Sequence, residues 1–223
     1  ALALVWLPRK LLGRLVDAEG ARKSGEFLRL CDRWGLPVLS LCDTPGFMVG
    51  PEAEKTGLVR HVCRMFVTAR SISVPLFGVV LRKCYGLGAQ AMLGGHLKRP
   101  DFTVAWPNGE FGPMGVEGAV TLGFRRELEA IEDENERAAR YQQLVDSMYE
   151  QGKAENVASY FEIDDVIDPN NPIEATVKGY YPGPNHVEFR IPIDPMSSCW
   201  YHVEFPIGTA EFLSDPSSFA CKI

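Results

Sequence analysis

One segment is best suited to chemistry, the corner Tyr85-Gly86-Leu87-Gly88, where an apolar strand meets small, helix-forming residues. Gly86 and Gly88 have no Cβ, so a ligand oxygen can approach the backbone closely there. The N–H groups of a first helical turn have no partner inside the helix, and they point at such an oxygen with the helix dipole behind them. This geometry can stabilise an oxyanion. For a glycine corner taken alone, a turn needed only for tight packing is the more common role.

Two further glycine-containing loops follow predicted strands. The first is Cys42 to Pro51, after the apolar run Pro37 to Leu41, and its Pro45-Gly46 pair fits the centre of a type II turn. The other is Phe111 to Val120, after Val104 to Pro107, and it leads into a helix. Three strand-loop-helix units in succession are typical of an α/β layer that gathers ligand contacts at one edge of a sheet.

Three motifs resemble the biotin-dependent acyl-CoA carboxyltransferases, in residues, order and spacing. They are Asp43-Thr44-Pro45-Gly46-Phe47, Arg82-Lys83-Cys84-Tyr85-Gly86, and Ala105-Trp106-Pro107 with Gly112-Pro113-Met114-Gly115. The similarity is to the C-terminal half of the carboxyltransferase (β) subunit of propionyl-CoA or acetyl-CoA carboxylases, and it covers roughly Leu12 to Pro169. It implies an α/β, crotonase-like fold, a layered spiral sheet with flanking helices. The choice of acyl substrate does not transfer with the resemblance.

The resemblance implies that the chain moves a carboxyl group from carboxybiotin to the α carbon of an acyl-CoA. It assigns the catalytic oxyanion donors to the backbone N–H groups of Leu87 and Gly88. In the family, the ureido nitrogen of biotin is thought to remove the α proton, so no side-chain nucleophile or acid–base pair is needed. A usual family pattern is Tyr-Gly-Gly-Ala, whereas this chain has leucine at position 87. A backbone donor tolerates that change, although the leucine side chain would narrow the pocket.

The resemblance also implies substrate-binding residues in all three loops. They are Pro45, Gly46, Phe47, Gly86, Ala89, Gln90, Gly112, Pro113, Met114 and Gly115. Gln90 stands where related enzymes vary a residue that tunes acyl chain length. An exposed helix position fits Gln90 equally well, and the residues leave both roles open.

Several partners and boundaries follow from the same resemblance. Biotin would be carried by a partner, a biotin carboxyl carrier protein or domain served by a biotin carboxylase subunit. An N-terminal half, whether on the same or on another polypeptide, would bind the acyl-CoA, and without it we expect no activity. The charge-dense helices would support a homo-oligomer. We expect the carboxyltransferase domain to span 12–170, between an atypical lead-in at 1–11 and an atypical tail at 171–223.

Two rival functions remain open from the residues. Another crotonase-type CoA enzyme, a hydratase or decarboxylase, would use Glu117 or Glu110 as its acid or base. Glu117 falls in a first helical turn, where the helix dipole alone explains a carboxylate. A non-catalytic half-subunit that acts only in assembly is the other alternative.

The composition limits the class of protein. The 223 residues are 46% hydrophobic and 23% charged, which is ordinary for a globular protein. A net charge of −6 without clustered Lys and Arg argues against nucleic-acid binding. No apolar run reaches the length of a membrane span, and the N-terminal charges follow the apolar stretch, the reverse of a secretory signal. We therefore expect a cytoplasmic protein.

Six cysteines form no C-x-x-C pair and have no histidine at metal-ligand spacing, so we expect no metal site. Cys31, Cys42 and Cys63 are interpreted as small buried apolar residues. Cys84 lies beside the glycine corner, but it has no neighbouring histidine to lower its pKa. Packing is therefore the favoured role of Cys84.

The elements that must position these loops follow from periodicity. Helical spacing predicts a first helix over Asp17–Trp34, whose inward residues are Ala21, Phe27, Leu28, Leu30, Cys31 and Trp34. It predicts a second helix over Thr56–Ala69, whose inward residues are Leu58, Val59, Val62, Cys63, Phe66 and Val67. Thr56 is the expected cap of this second helix. Apolar runs predict strands at Pro37–Asp43, Val74–Leu81 and Phe102–Trp106, paired in parallel, with a short helix at Ala89–Gly95. Glu117 to Tyr160 is typical of a long helical arm. In Phe161–Pro169, the aspartates are expected to cap or hydrogen-bond rather than act as an acid–base pair.

The tail contains an internal echo, His186-Val187-Glu188-Phe189 and His202-Val203-Glu204-Phe205. Alternation predicts a strand over Val187–Ile193, which could pair with the echo. A chance echo explains the pattern equally well.

Overall fold

A computed structural model describes residues 3–5, 15–167, 186–192 and 200–206, with side-chain positions for 15–167. The strands are β1 (Ala3–Val5), β2 (Val38–Thr44), β3 (Leu76–Tyr85), β4 (Phe102–Ala105), β5 (Glu110–Gly112), β6 (Asp165–Val166), β7 (His186–Pro192) and β8 (Trp200–Pro206). The helices are α1 (Ala18–Trp34), α2 (Pro51–Lys55), α3 (Leu58–Ser71), α4 (Gly86–Met92), α5 (Val116–Gly123), α6 (Arg125–Glu129), α7 (Glu134–Gln151) and α8 (Ala154–Ser159).

A parallel sheet forms the centre of the fold, with strand order β1-β2-β3-β4-β6, and β5 pairs with the end of β3. Every residue of β2 is buried, as expected for a central strand covered on both faces. The predicted α/β class and parallel pairing are confirmed. Because the strands are parallel, the loops that follow them open at the same edge of the sheet.

The predicted strands are found with shifted ends, and β1, β5 and β6 were not predicted. Strand β3 runs four residues beyond Leu81, because its end pairs first with Thr44 and then with β5. Helix α4 begins at Gly86 rather than at Ala89. The glycine corner is therefore tighter than the sequence indicates, since strand and helix meet with no residue between them.

Helix α1 has the predicted bounds and a well-defined start and end. Asp17 Oδ1 accepts a hydrogen bond from Gly20 N–H at 2.7 Å, and Gly35 ends the helix with φ of 65°. Leu28 is buried as predicted. Two residues predicted to face inward are exposed instead, Trp34, the last residue of the helix, at 64% and Leu30 at 37%.

The buried face of α3 differs from the prediction. Cys63, Val59 and Val67 are exposed, whereas Met65 and Ala69 are buried. The reason is the close packing of α1 on α3, where a Cβ on Gly25 would lie 3.6 Å from the Met65 Cα atom. Because Gly25 has no side chain, α3 can turn its Met65 side toward α1.

Thr56 was wrongly predicted to cap α3. Its hydroxyl donates to the carbonyl of Ala53 at 2.6 Å, so it closes the short helix α2 instead. Gly57, in a left-handed conformation with φ of 73°, precedes α3. The Thr56 hydroxyl therefore bonds to the helix that precedes it, α2, instead of capping the helix that follows it, α3.

The predicted helical arm consists of four helices, α5 to α8. Its main apolar cluster packs back on the end of β3. The cluster consists of Tyr85, Val116, Val120, Leu144 and Val145. Leu122 of α5 is 66% exposed. The arm therefore covers the edge of the sheet where the three loops lie.

Strands β7 and β8 form an antiparallel pair, in which Val187 lies opposite Phe205 and Glu188 opposite Glu204. The predicted pairing of the echo is confirmed. The domain limits at 11 and 170 remain a prediction. Within the described part of the chain, no helix combines the length and apolar character needed to cross a membrane.

Candidate active site

The three loops are numbered in chain order: Cys42 to Pro51 is the first, the strand-to-helix corner at Gly86 is the second, and Phe111 to Val120 is the third. The second and third loops contact one another directly at Gly86. Gly86 has φ of 58°, which favours glycine, and a Cβ there would lie 2.7 Å from the Pro113 carbonyl oxygen. Tyr85 is the residue before the helix, and its backbone is extended. A side chain at position 86 would therefore separate two loops that contact one another directly.

Gly88 lies where helix α4 and the first loop come close together. A Cβ on Gly88 would lie 2.6 Å from the carbonyl carbon of Gly46 and 2.7 Å from its Cα atom. Gly46 has φ of 128°, so the predicted positive φ is confirmed at this position. The missing side chain of Gly88 thus accommodates a neighbouring loop, and only its N–H group could serve a ligand.

A cavity of about 380 Å³ opens beside this corner. Six of the predicted site residues line it: Gly86, Ala89, Gln90, Gly112, Pro113 and Met114. Gln90 is half-buried in the cavity wall rather than fully exposed on the helix. The second and third loops are therefore brought together around one pocket.

The other predicted site residues lie outside this lining. Leu87 is 61% exposed in the first turn of α4, and Gly115 precedes α5. Pro45 and Gly46 lie in the first loop, on the Gly88 side of α4. Phe47 packs on Phe66, with ring centroids 6.4 Å apart. Phe47 therefore supports the core.

The arm supplies a wall of the pocket that the sequence did not predict. It contributes Val116, Met148, Gln151, Gly152, Val157 and Glu162, and the rest of the unpredicted lining is Cys84, Leu97 and Phe111. The N–H of Phe111 donates to the Gly152 carbonyl at 2.8 Å, which ties β5 to the end of α7. Nothing in the local sequence signals this contact, because about forty residues separate the two partners.

Two tyrosine–glutamate pairs lie behind the pocket. Tyr85 donates its hydroxyl to Glu110 Oε2 at 3.0 Å, and Tyr149 donates to Glu117 Oε1 at 2.9 Å. Burial, with Glu110 adding to it, raises the pKa of Tyr85 well above its usual value, so this hydroxyl stays a donor. Burial and then Glu117 raise the pKa of Tyr149 to about 12. Both carboxylates therefore have a structural partner.

The pKa of Glu117 is lowered, first by its own backbone N–H in the opening turn of α5 and then by the Tyr149 hydroxyl. A carboxylate held in its charged form is a poor proton donor. This environment argues against Glu117 as a general acid.

Asp43 belongs to one of the three motifs, but the sequence did not indicate its structural role. Its carboxylate is almost fully buried at the end of β2, accepts from Lys83 N–H at 3.1 Å and lies 3.6 Å from Arg82 Nε. These contacts bridge the register shift between β2 and β3 that precedes the corner. The motif residues Asp43 and Arg82 thus position the corner from the strand side.

Cys84 is buried in the pocket wall, and the neighbouring Cys42 thiol, together with burial, raises its pKa. A thiol in this environment stays protonated and unreactive. The predicted packing role of Cys84 is therefore confirmed. Cys31 and Cys42 are also buried, whereas Cys63 is not.

Asp164 and Asp165 form hydrogen bonds, as predicted. Asp164 Oδ2 accepts from Thr103 N–H at 2.6 Å, and Asp165 Oδ1 accepts from Val166 N–H at 2.7 Å. The Asp164 contact fastens the closing segment to β4. No group of three or more His, Cys, Asp or Glu side chains in residues 15–167 is arranged to hold a metal ion.

Comparison with known proteins gives a consistent result. The family model "Carboxyl transferase domain" matches residues 7–179. The carboxyltransferase subunit of propionyl-CoA carboxylase from Haloferax mediterranei is 36% identical over 165 residues, which are 74% of this chain and 31% of that protein.

Two solved structures share the fold. A single-chain, multi-domain long-chain acyl-CoA carboxylase is 52% identical with a TM-score of 0.65, over 74% of this chain and 16% of that one. The transcarboxylase 12S hexamer, with methylmalonyl-CoA bound, is 32% identical with a TM-score of 0.67, over 74% of this chain and 31% of that one.

The chain spans about a third of the length of the curated relatives it matches. The similarity covers the three loops, the corner and most of the arm. The predicted crotonase-like α/β fold is confirmed by these structures. The chain belongs to the carboxyl transferase family.

Proposed function

We propose that this chain forms the biotin-side part of an acyl-CoA carboxyltransferase, in which a carboxyl group moves from carboxybiotin to the α carbon of an acyl-CoA. The observation that carries the proposal is the Gly86 corner, which joins strand to helix without a linker and opens on a pocket of about 380 Å³. Family membership supports the same reaction.

The catalytic contribution of the chain is electrostatic. The N–H groups of Leu87 and Gly88 lie in the first turn of α4, where they have no acceptor within the helix. They would donate to the ureido oxygen of biotin as negative charge develops on it, aided by the helix dipole. Donors that are already oriented need no reorganisation during the reaction.

The pocket beside Gly86 is large enough to hold a ring system such as that of biotin. Its volume lies within the usual range of small-molecule sites, and its walls are mostly apolar with few polar groups. Carboxybiotin supplies the carboxyl group when it is bound. Gln90, Gln151 and Glu162 are polar side chains of the lining that could orient a ligand, and Met114 and Met148 are apolar members of it. A drier site strengthens each hydrogen bond to a developing charge.

The partners follow from the same proposal. An acyl-CoA is the substrate, and a carrier protein or domain, served by a biotin carboxylase, delivers biotin. A CoA-binding half completes the site and supplies the oxyanion contacts of the thioester. The hexamer of the related 12S protein supports a homo-oligomer here. A cytoplasmic location and the absence of a metal remain predictions.

The hydratase or decarboxylase alternative is less well supported. It needs Glu110 or Glu117 as a free acid or base, yet each accepts a tyrosine hydroxyl. Activity that survives complete removal of biotin would favour this alternative. The assembly-only alternative predicts no effect of changes at the corner.

The test is to remove one donor without changing its surroundings. Leu87→Pro deletes the N–H group in a first helical turn, where proline is tolerated, and the exposed side chain leaves room for the ring. Leu87→Ala is the matched control, because it keeps the N–H group and removes most of the side chain. Carboxyl transfer is measured in a complex assembled with a CoA-binding half, and folding is checked by thermal melting.

We expect Leu87→Pro to lower kcat by about 10²–10³-fold, the usual effect of losing one oxyanion donor. Leu87→Ala should retain kcat within a few-fold. Equal activity of the two variants in folded complexes would show that position 87 donates no catalytic hydrogen bond.

A further inference from the structure

A second, larger cavity of about 880 Å³ lies between the end of α3 and the loop that follows α4. Its lining consists of Phe66, Val67, Arg70, Ser71, Gly94, Gly95, His96, Lys98 and Arg99. It shares no lining residue with the pocket beside Gly86. We call this cavity the basic cleft.

The basic cleft concentrates positive charge in an acidic protein. Arg70, Lys98 and Arg99 line it together with His96, and no aspartate or glutamate is among its described lining residues. The chain as a whole carries a net charge of −6. A local cationic surface of this kind attracts an anion of matching size.

Arg99 is held in place with part of its hydrogen-bonding capacity unused. Its stem lies over Gly94, where a Cβ would meet the Arg99 Cγ atom at 2.7 Å. One terminal nitrogen, Nη2, donates to the Ile72 carbonyl at 3.3 Å. The Nε atom is buried and has no acceptor among the described residues. A guanidinium fixed in this way is prepared for a planar oxyanion.

Lys98 and His96 are held by contacts with their neighbours. Lys98 Nζ lies 3.7 Å from Asp164 Oδ1, and Lys98 N–H donates to His96 Nδ1 at 3.0 Å. A neutral imidazole that accepts at Nδ1 carries its hydrogen on Nε2, so His96 keeps one ring donor for another partner. Arg70 extends from the last turn of α3 and is exposed.

The remaining walls of the basic cleft are apolar or bare backbone. Phe66 is partly buried, and Val67 is 69% exposed. Gly94 and Gly95 have φ of 79° and 110°, and Gly95 lies against the Phe66 ring. A ligand with an aromatic or apolar portion can therefore cover Phe66 and Val67 while its anionic end meets the cations.

We propose that the basic cleft binds an organic phosphate of the nucleotide class. The phosphates would be bound by Arg70, Lys98 and Arg99, whose charges suit phosphate oxygens, and the base would lie on Phe66 and Val67. The volume is within the range of sites for ligands of this size.

The test is equilibrium binding of ADP to the 223-residue chain by calorimetry at low salt, compared with pyrophosphate and with adenosine. Arg70→Gln removes one exposed cation of the basic cleft, and Lys98→Gln removes a second. Arg60→Gln is the matched control, an exposed arginine on the same helix outside the cleft. Thermal melting confirms that each variant folds.

We expect saturable ADP binding that is tighter than that of pyrophosphate or adenosine. Each cleft variant should weaken it by about tenfold, and Arg60→Gln should leave it unchanged. Coenzyme A that competes with ADP for the cleft would identify the nucleotide end of an acyl-CoA as the ligand. No saturable binding, pyrophosphate binding as tight as ADP, or equal affinity in all variants would refute the proposal. The assay needs no carboxyl transfer, so the proposed catalytic function stands or falls separately.

Discussion

A Cβ on Gly88 would lie only 2.6 Å from the carbonyl carbon of Gly46, and this close approach decides what a substitution at position 88 would mean. A side chain at Gly88 meets the Gly46 backbone before it meets a ligand. Loss of activity in a Gly88 variant would therefore combine a displaced loop with any effect on the N–H donor. Position 87, with its exposed side chain, separates the two effects.

We expect Gly88→Ala to lower the free energy of unfolding by about 1–3 kcal/mol, the usual cost of overpacking. Gly118→Ala is the control, because that helical glycine has nothing within 4 Å of a new Cβ. Alanine there should stabilise the protein by about 0.5–1 kcal/mol. Urea denaturation of both variants measures the difference, and an unchanged stability of Gly88→Ala would contradict the close contact.

The cysteines give a second prediction at the scale of single residues. Cys63 is exposed on α3, whereas Cys31, Cys42 and Cys84 are buried, and the pKa of Cys84 is raised. We expect iodoacetamide to label Cys63 in the folded protein well before these three, which should react only after unfolding. Mass-spectrometric peptide mapping measures the order, and early labelling of Cys84 would indicate an accessible, activated thiol.

Elements are joined by carboxylates that accept backbone N–H groups, and Asp32 of α1 is the clearest case. It accepts from Ser73 N–H at 2.6 Å, from the Ser73 hydroxyl at 2.8 Å and from Val74 N–H at 3.3 Å. These contacts hold the end of α1 to the segment before β3. They lower the pKa of Asp32, with the Ser73 N–H as the largest cause.

The lowered pKa of Asp32 determines how its contribution to the free energy of unfolding changes with pH. Stabilisation by Asp32 is present above the pKa of an unfolded aspartate, about 3.9, and is lost as pH falls through the lower pKa of the folded state. Asp32→Asn should therefore be less stable than the unchanged protein at pH 7, and the difference should shrink below about pH 4. Urea denaturation from pH 7 to pH 3 tests this. Asp146→Asn, an exposed change on α7, should show no comparable trend.

At the scale of the whole molecule, the three loops meet at one sheet edge, and the arm closes the pocket that lies between the Gly86 corner and the Phe111–Val120 loop. The chain covers only 31% of its relative from Haloferax mediterranei, so most of a complete carboxyltransferase lies outside the matched segment. Under the proposed function, the residues that bind CoA and stabilise the thioester belong to that remaining part.

We therefore expect the 223-residue polypeptide alone to show no acyl-CoA carboxylation with free biotin. Addition of a CoA-binding half should restore transfer from a carboxylated biotin carrier to an acyl-CoA such as propionyl-CoA. Free biotin must be supplied in its carboxylated form for the first reaction, and the carboxylated carrier is the donor for the second. Transfer of a labelled carboxyl group from either donor to the acyl-CoA measures both reactions. Robust turnover by the isolated polypeptide would refute the division of the site between two halves.

The sequence by itself determined the parts of the protein that depend on local backbone chemistry. Strand, glycine loop and helix follow one another in the chain, so residue types predicted the α/β class, the parallel pairing and the positive φ of Gly46. The three motifs also indicated the family, which the comparisons confirm.

Tertiary structure decided which surfaces meet. The amphipathic pattern of α3 allowed more than one buried face, and packing against Gly25 of α1 selected the one with Met65. The arm is joined to the pocket by the hydrogen bond between Phe111 and Gly152, and these two residues are about forty positions apart in the chain. The spacing of apolar residues in the sequence indicates which side chains favour burial. Which residues they contact depends on how elements that are distant in the chain pack together.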